Sequence, residues 1–191
     1  MRPRSAAEVG RPDSQTIQIA RESCATVADR PAAIAEIFYE HLFELAPSVR
    51  SMFPADMSIQ HERMSRTLID AVRNADDPVK VERLLQRMGA AHARNHAVIA
   101  EHYPYVGRAL VRAVRDLSPR WSASVGSAWV QVYEWMAAHM ILGADIEAAQ
   151  GDQRPAPPTA GFRGAFGGAY GDGLPPAARR EPVRSVLSPR H

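Results

Sequence analysis

Apolar residues recur every three or four positions along most of this chain, and no β-branched alternating run bounded by hairpin turns appears. The first helix predicted from that pattern is capped by Asp13 or Ser14 and carries Ile17, Ile19, Ala20, Cys24 and Val27. A second runs from Pro31 to Leu45, with Ile34, Ile37, Phe38, Leu42 and Phe43 on its buried side. A short turn from Pro47 to Phe53 follows. Ser58 is the expected cap of a third helix, which places Met64, Leu68, Ile69 and Val72 at helical spacing. Asp76-Asp77-Pro78 opens a fourth that ends just beyond His92, Val106 to Val114 marks a fifth, and Val125 to Ile146 a long last one. The six prolines between residues 14 and 150 all fall where one pattern yields to the next, as an all-α chain requires. The expectation is all-α: about seven helices, the short turn included, with unequal lengths that suit an irregular box around a cofactor better than an up-down bundle.

Both ends depart from the pattern. Residues 151–191 hold seven Pro and seven Gly with almost no aliphatic periodicity, and are expected to stay disordered. Within them, Gly161 to Gly171 faintly resembles a Gly-aromatic RNA-binding tract, although a passive tail explains the same composition. Residues 1–13 are read as a disordered extension, which leaves 14–150 as the one folded domain. The net charge of +2 divides into +3 on the tail, +1 on residues 1–13 and −2 on the domain. A basic nucleic-acid face on the domain is therefore not expected.

Cys24 is the only cysteine, which excludes an intrachain disulfide and a Cys-based zinc cage. Met1-Arg-Pro-Arg leads into no apolar stretch of the kind that opens a secretory signal. Gln131, Glu134 and His139 interrupt the most apolar run, Trp129 to Ala144, so no membrane span is predicted. The expected setting is cytoplasmic.

His92 is the residue that suggests chemistry. Leu85 and Met88 lie seven and four positions before it, on the same helical face. A histidine on an apolar face can present a bare imidazole nitrogen to an iron in an oily cavity. Phe38-Tyr39 and Met52-Phe53 offer a phenol and an aromatic wall for the opposite side of such an iron. Together the set points to haem. His96, four residues on, is expected to project into solvent from a frayed helix end, and no third residue at fitting spacing completes a two-histidine metal site.

Three separated segments then resemble one family, in order. Phe38-Tyr39-Glu40-His41-Leu42-Phe43 with Pro47-Ser48-Val49-Arg50-Ser51-Met52-Phe53 is similar to the bacterial globins, specifically the haem domain of flavohaemoglobins and their single-domain relatives. Glu101-His102-Tyr103-Pro104-Tyr105-Val106-Gly107 resembles the turn after the proximal histidine, and Ala128-Trp129-Val130-Gln131-Val132-Tyr133 the last helix. The likeness covers roughly residues 14–146. It implies a globin fold holding haem b, with His92 as the proximal iron ligand and Tyr39 as the distal phenol. Phe53 would wedge the porphyrin, with Phe43, Met52, Met64, Leu68, Leu85, Met88 and Val106 as further pocket residues and Tyr103 as the tyrosine that follows the proximal histidine. Gln60, 32 residues before His92, takes the distal amide position by spacing, with His61 and Arg63 as alternatives.

The chain departs from the family in two places. The stretch between His92 and Tyr103 is one residue longer than the family usually has. Where flavohaemoglobins place a glutamate behind the proximal imidazole, this chain has Ala144, with Asp145 and Glu147 nearby.

The implied function is reversible binding of O2, NO and CO, with nitric oxide dioxygenation as its use. Only the tail follows residue 150, without a flavin barrel or a Gly-x-Gly-x-x-Gly turn, so a separate flavin and nicotinamide reductase is the expected electron source. A gas sensor or carrier, or a haem-free interaction protein of globin shape, is the alternative. A homodimer is compatible with the sequence.

Overall fold

Asp13 starts the first helix. Its carboxylate accepts the backbone N–H of Thr16 at 2.7 Å, which satisfies one of the donors that every helix start leaves over. The computed structural model describes residues 2–28 and 31–151, and among them places six α-helices and two short 3-10 turns. The helices are α1 (Ser14–Ala28), α2 (Pro31–Leu45), α3 (Ser58–Arg73), α4 (Pro78–His96), α5 (Tyr103–Leu117) and α6 (Ala123–Gly151), with 3-10 turns at Pro47–Met52 and Ala100–His102. No strand occurs among the described residues. The predicted all-α order therefore holds, element by element.

Three boundaries differ, each for a local reason. Ser58 is the first residue of α3 rather than its cap, and its N–H and hydroxyl both donate to Asp56 Oδ1, at 2.9 and 2.7 Å. The fifth helix begins at Tyr103, with Pro104 in its first turn, where a missing N–H costs nothing. The sixth begins at Ala123 rather than Val125, with the Ser122 hydroxyl accepting the Val125 N–H at 3.3 Å. The fourth ends beyond His92 as expected, at His96, where Ala97 adopts the left-handed conformation at φ 51° and ψ 34° and returns its N–H to the His92 carbonyl. Among the described residues Ala97 is the only non-glycine with positive φ. Ala97→Gly is therefore expected to stabilise the fold by about 1 kcal/mol, since a Cβ is disfavoured there; urea unfolding checks it.

The main core joins α1, α2, α5 and α6 around Ile34, Phe38, Leu42, Val114, Trp129 and Val132. Trp129 donates to the Ser23 hydroxyl at 3.4 Å, which ties α6 to α1 across 106 residues of chain. A smaller cluster of Val81, Leu85 and Trp135 seals α4 against α6. Val9 packs on that cluster, Arg4 pairs with Glu134 at 3.0 Å, and Arg11 donates to the Ala75 carbonyl at 3.1 Å. Within residues 2–13, Arg4, Val9 and Arg11 thus touch the helices. Their partners are remote in sequence, and no local pattern announces them. The Pro- and Gly-rich segment expected to be a disordered tail lies outside the described residues beyond Gly151. Among the described residues no helix is long and apolar enough to cross a membrane.

Candidate functional site

A partly open cavity of about 230 Å³ is lined by side chains of α2 to α6 and both 3-10 turns. Tyr39, Met52, Phe53, Gln60, Met64, Leu68, Met88, His92, Tyr103 and Val106, all read from sequence as site residues, line it together. On α4, the His92 ring turns Nδ1 back onto its own helix, 2.6 Å from the Met88 carbonyl oxygen. A carbonyl only accepts, so Nδ1 carries the proton and the lone pair resides on Nε2. Burial pushes the His92 pKa down, against the smaller opposing effect of the Met88 bond, and keeps the ring neutral. A neutral imidazole with its tautomer fixed by the backbone is the form that ligates a metal.

Tyr39, which lines the same cavity, is buried on α2 among Phe38, Phe43 and Phe53, with ring centroids 4.8, 5.7 and 5.3 Å away. Gln60, on the first turn of α3, donates from Nε2 to the Tyr39 hydroxyl oxygen at 2.8 Å. The distal alternatives separate here. Gln60 and Arg63 line the cavity, whereas His61 does not and stacks instead on the Tyr39 ring at 5.4 Å with 18° between planes.

Two predicted pocket residues are placed elsewhere. Leu85 shares the helical face of His92, but two turns upstream α4 has passed the edge of the cavity, and the side chain is sealed against Val81 and Trp135. Phe43 stands behind Tyr39 and Phe53 and supports them without lining the cavity. His96 is corrected the other way. The helical turn after His92 brings it to the cavity wall, with its ring 6.0 Å from that of His92, instead of leaving it in solvent.

Sequence reasoning also missed Met136 and Met140, which α6 contributes to the wall, and the part played by Tyr133. The hydroxyl of Tyr133 donates to the Tyr103 carbonyl at 2.6 Å, and burial first of all holds its pKa well above the usual value, so it stays a donor. This bond pins the start of α5 to α6 at the cavity. Tyr133→Phe is expected to cost about 1 kcal/mol, measured by urea unfolding.

Neither carboxylate near the end of α6 reaches the imidazole. Glu147 is engaged by Arg94 at 2.8 Å, and Asp145 is exposed.

The donor set decides what kind of metal fits. Among the described residues no group of three or more His, Cys, Asp or Glu is arranged to hold a bare ion. One neutral nitrogen in an apolar cavity suits an iron that brings its own equatorial ligands, and haem is such a group. Its flat hydrocarbon ring matches the Phe, Met, Leu and Val walls, and Arg63, His96 and His102 give the lining a polar part that would suit its carboxylates. The residues fit haem.

An irregular helical box around such a cavity is the architecture of haem-binding globins. The sequence profile of the globin family matches residues 36–140, which is more than half of the chain, and the chain belongs to that family. A flavohemoprotein from Xylella fastidiosa is 25% identical over 140 residues, covering 71% of this chain and 34% of the relative. The chain thus spans about a third of the length of the flavohemoproteins that it matches. An anaerobic nitrite reductase from Oryza sativa subsp. indica is 28% identical over 113 residues, 56% of this chain and 77% of that protein. Among solved structures, a bacterial globin from Campylobacter jejuni superposes with a TM-score of 0.61 at 24% identity, covering 73% of this chain and 99% of the other. An engineered carbene transferase, built on a candidate nitric oxide dioxygenase from Rhodothermus marinus, gives 0.62 at 28% identity, covering 74% and 96%. Globin membership and the flavohemoprotein relatives imply haem binding.

Proposed function

We propose that this chain holds haem b through Nε2 of His92 and binds O2, NO and CO reversibly on the Tyr39 side. The observation that carries this reading is the pairing, in one apolar cavity, of a tautomer-locked imidazole with a buried phenol anchored by Gln60. Bound haem would supply an iron with one open position for a diatomic gas and, given electrons, the redox chemistry that converts NO, O2 and one electron to nitrate. We further assign that dioxygenation as the use of the site, with a separate cytoplasmic flavin and nicotinamide reductase as electron donor.

The side chains have distinct tasks in this scheme. Tyr39 steadies a gas ligand that acquires negative charge, by donating its hydroxyl proton toward it. A hydrogen bond to a charged acceptor contributes about 1.5–3 kcal/mol. Tyr39→Phe is therefore expected to speed O2 release about ten- to a hundredfold, read by stopped-flow displacement with CO. Met52, Phe53, Met64 and Leu68 exclude water. His92 gives its Nδ1 proton to a neutral carbonyl rather than to a carboxylate, which leaves the imidazole less electron-donating. That weakens peroxidase-like chemistry at the iron relative to gas binding.

The purified protein should be red, with an intense absorption band at the violet edge of the visible. Adding NO to the oxygenated protein with an electron supply should release nitrate stoichiometrically. A red protein that binds O2 but yields no nitrate would be a carrier or sensor, and a colourless one that takes up no haem would overturn the reading altogether.

A further inference from the structure

His61 lies outside the cavity, yet it makes the most nearly parallel ring contact that Tyr39 has. Phe38 and Phe53 meet the phenol edge-on, at 74° and 68°, and Phe43 is tilted by 31°. The imidazole of His61 lies 18° from the ring plane, with centroids 5.4 Å apart. Its neighbour in sequence, Gln60, grips the same phenol at the hydroxyl, 2.8 Å away. Consecutive residues of one helical turn therefore hold one side chain by two different features, the oxygen and the ring face.

We propose that His61 is a positioning residue that fixes the plane of the Tyr39 phenol and, through it, the direction in which the hydroxyl donates. This rests on the reading of Tyr39 as the group that steadies bound gas. The physical link is conjugation, which keeps a phenolic O–H close to the plane of its ring. With the oxygen held by the Gln60 N–H, turning the plane of the ring turns the direction in which the proton is offered. Fixing the oxygen alone does not select that direction, because the ring can still turn about its long axis. A flat ring stacked on one face removes that freedom, and the edge-on phenylalanines close the flanks.

The clamp has a firm base. The first turn of α3, which carries both residues, is anchored by the Asp56 carboxylate through Ser58 N and Oγ and by the His61 N–H on the Met57 carbonyl at 2.8 Å. On this account flatness at position 61 matters, rather than the chemistry of imidazole.

The test is a double-mutant cycle on the haem-loaded full chain. His61→Leu keeps bulk but loses the flat face, and His61→Phe restores it. His61→Leu is expected to speed O2 release about two- to tenfold, the worth of one aromatic contact, while His61→Phe stays near the wild-type rate. In a Tyr39→Phe background His61→Leu should add nothing, because no hydroxyl remains to be aimed. Infrared spectra of the CO-bound protein supply a readout that general loosening of the fold does not mimic. The C–O stretch should broaden or split in His61→Leu and return to one narrow band in His61→Phe.

Wild-type O2 release in His61→Leu would overturn the proposal while leaving the function of Tyr39 intact, as would an equal acceleration in both backgrounds. A His61→Phe variant as fast as His61→Leu would also overturn it, by showing that stacking is not what counts. No acceleration in Tyr39→Phe itself would remove the phenol from the gas-binding reading, and this proposal with it.

Discussion

His92→Ala is expected to give a folded but colourless protein. The substitution removes the cavity imidazole whose Nδ1 proton is held by the Met88 carbonyl, and the loss in haem affinity should exceed the 10- to 100-fold, roughly, that follows from losing a mere supporting partner of a metal ligand. The fold should survive, because the backbone N–H at position 92 continues to bond the Met88 carbonyl in the ordinary helical way, and no buried acceptor is orphaned. Free imidazole should enter the space left behind and restore the colour in part. Titration with haem, with and without imidazole, checks both statements, and far-ultraviolet circular dichroism checks the fold. His96→Ala is the informative control. His96 lines the same cavity, and the position of an axial ligand four residues further along the helix is the natural competitor. A red His92→Ala protein beside a colourless His96→Ala protein would transfer the iron to His96.

That competition shows what the sequence makes legible and what it does not. Helical spacing puts His92, Met88, Met64 and Leu68 on helix faces that line the cavity. The same logic misplaces Leu85. Periodicity identifies the face of a helix, but it carries no information about where along that face a cavity ends and a neighbouring helix begins. His96 is missed for a complementary reason. After His92 the run Ala93-Arg94-Asn95-His96 has no apolar marker, and the helix ends on an alanine in a left-handed conformation rather than on a glycine that would announce the boundary. Met136 and Met140 could not be assigned because α6 is apolar around most of its circumference between Trp129 and Ala144, so no face stands out. Gln60 is singled out only through the resemblance, whereas Tyr39 also stands out as a phenol beside Phe38. The position of His61 follows from packing alone, which brings Gln60 and Arg63 into the cavity and lays His61 on the phenol.

The sharpest disagreement between propensity and structure concerns Gly89 and Gly143, and replacing either by alanine is expected to destabilise the protein severely. Helix propensity alone gives the opposite sign, because glycine inside a helix costs about 1 kcal/mol relative to alanine. The packing of α4 on α6 reverses it. A Cβ on Gly89 would lie 1.8 Å from the carbonyl oxygen of Met140, and one on Gly143 would lie 1.9 Å from that of Gln86. In both cases the obstacle is backbone, which cannot rotate aside, so the helices must separate. Overpacking of this kind costs about 1–3 kcal/mol and more where nothing yields. We expect at least about 3 kcal/mol for each variant, a drop in Tm of about 6–12 °C for a chain of this size.

The consequence extends to the site. Gly89 precedes His92 by less than one turn, and Met140 itself lines the cavity, so parting the helices moves the imidazole relative to the wall that faces it. Gly89→Ala should therefore release haem faster than Gly10→Ala, where a Cβ meets nothing within 4 Å and neither stability nor haem retention should change. Calorimetry together with haem transfer to an excess of a scavenging apoglobin measures both effects. Wild-type stability in Gly89→Ala would mean that the two helices do not approach as closely as their glycines allow, and the position of His92 would then need another explanation.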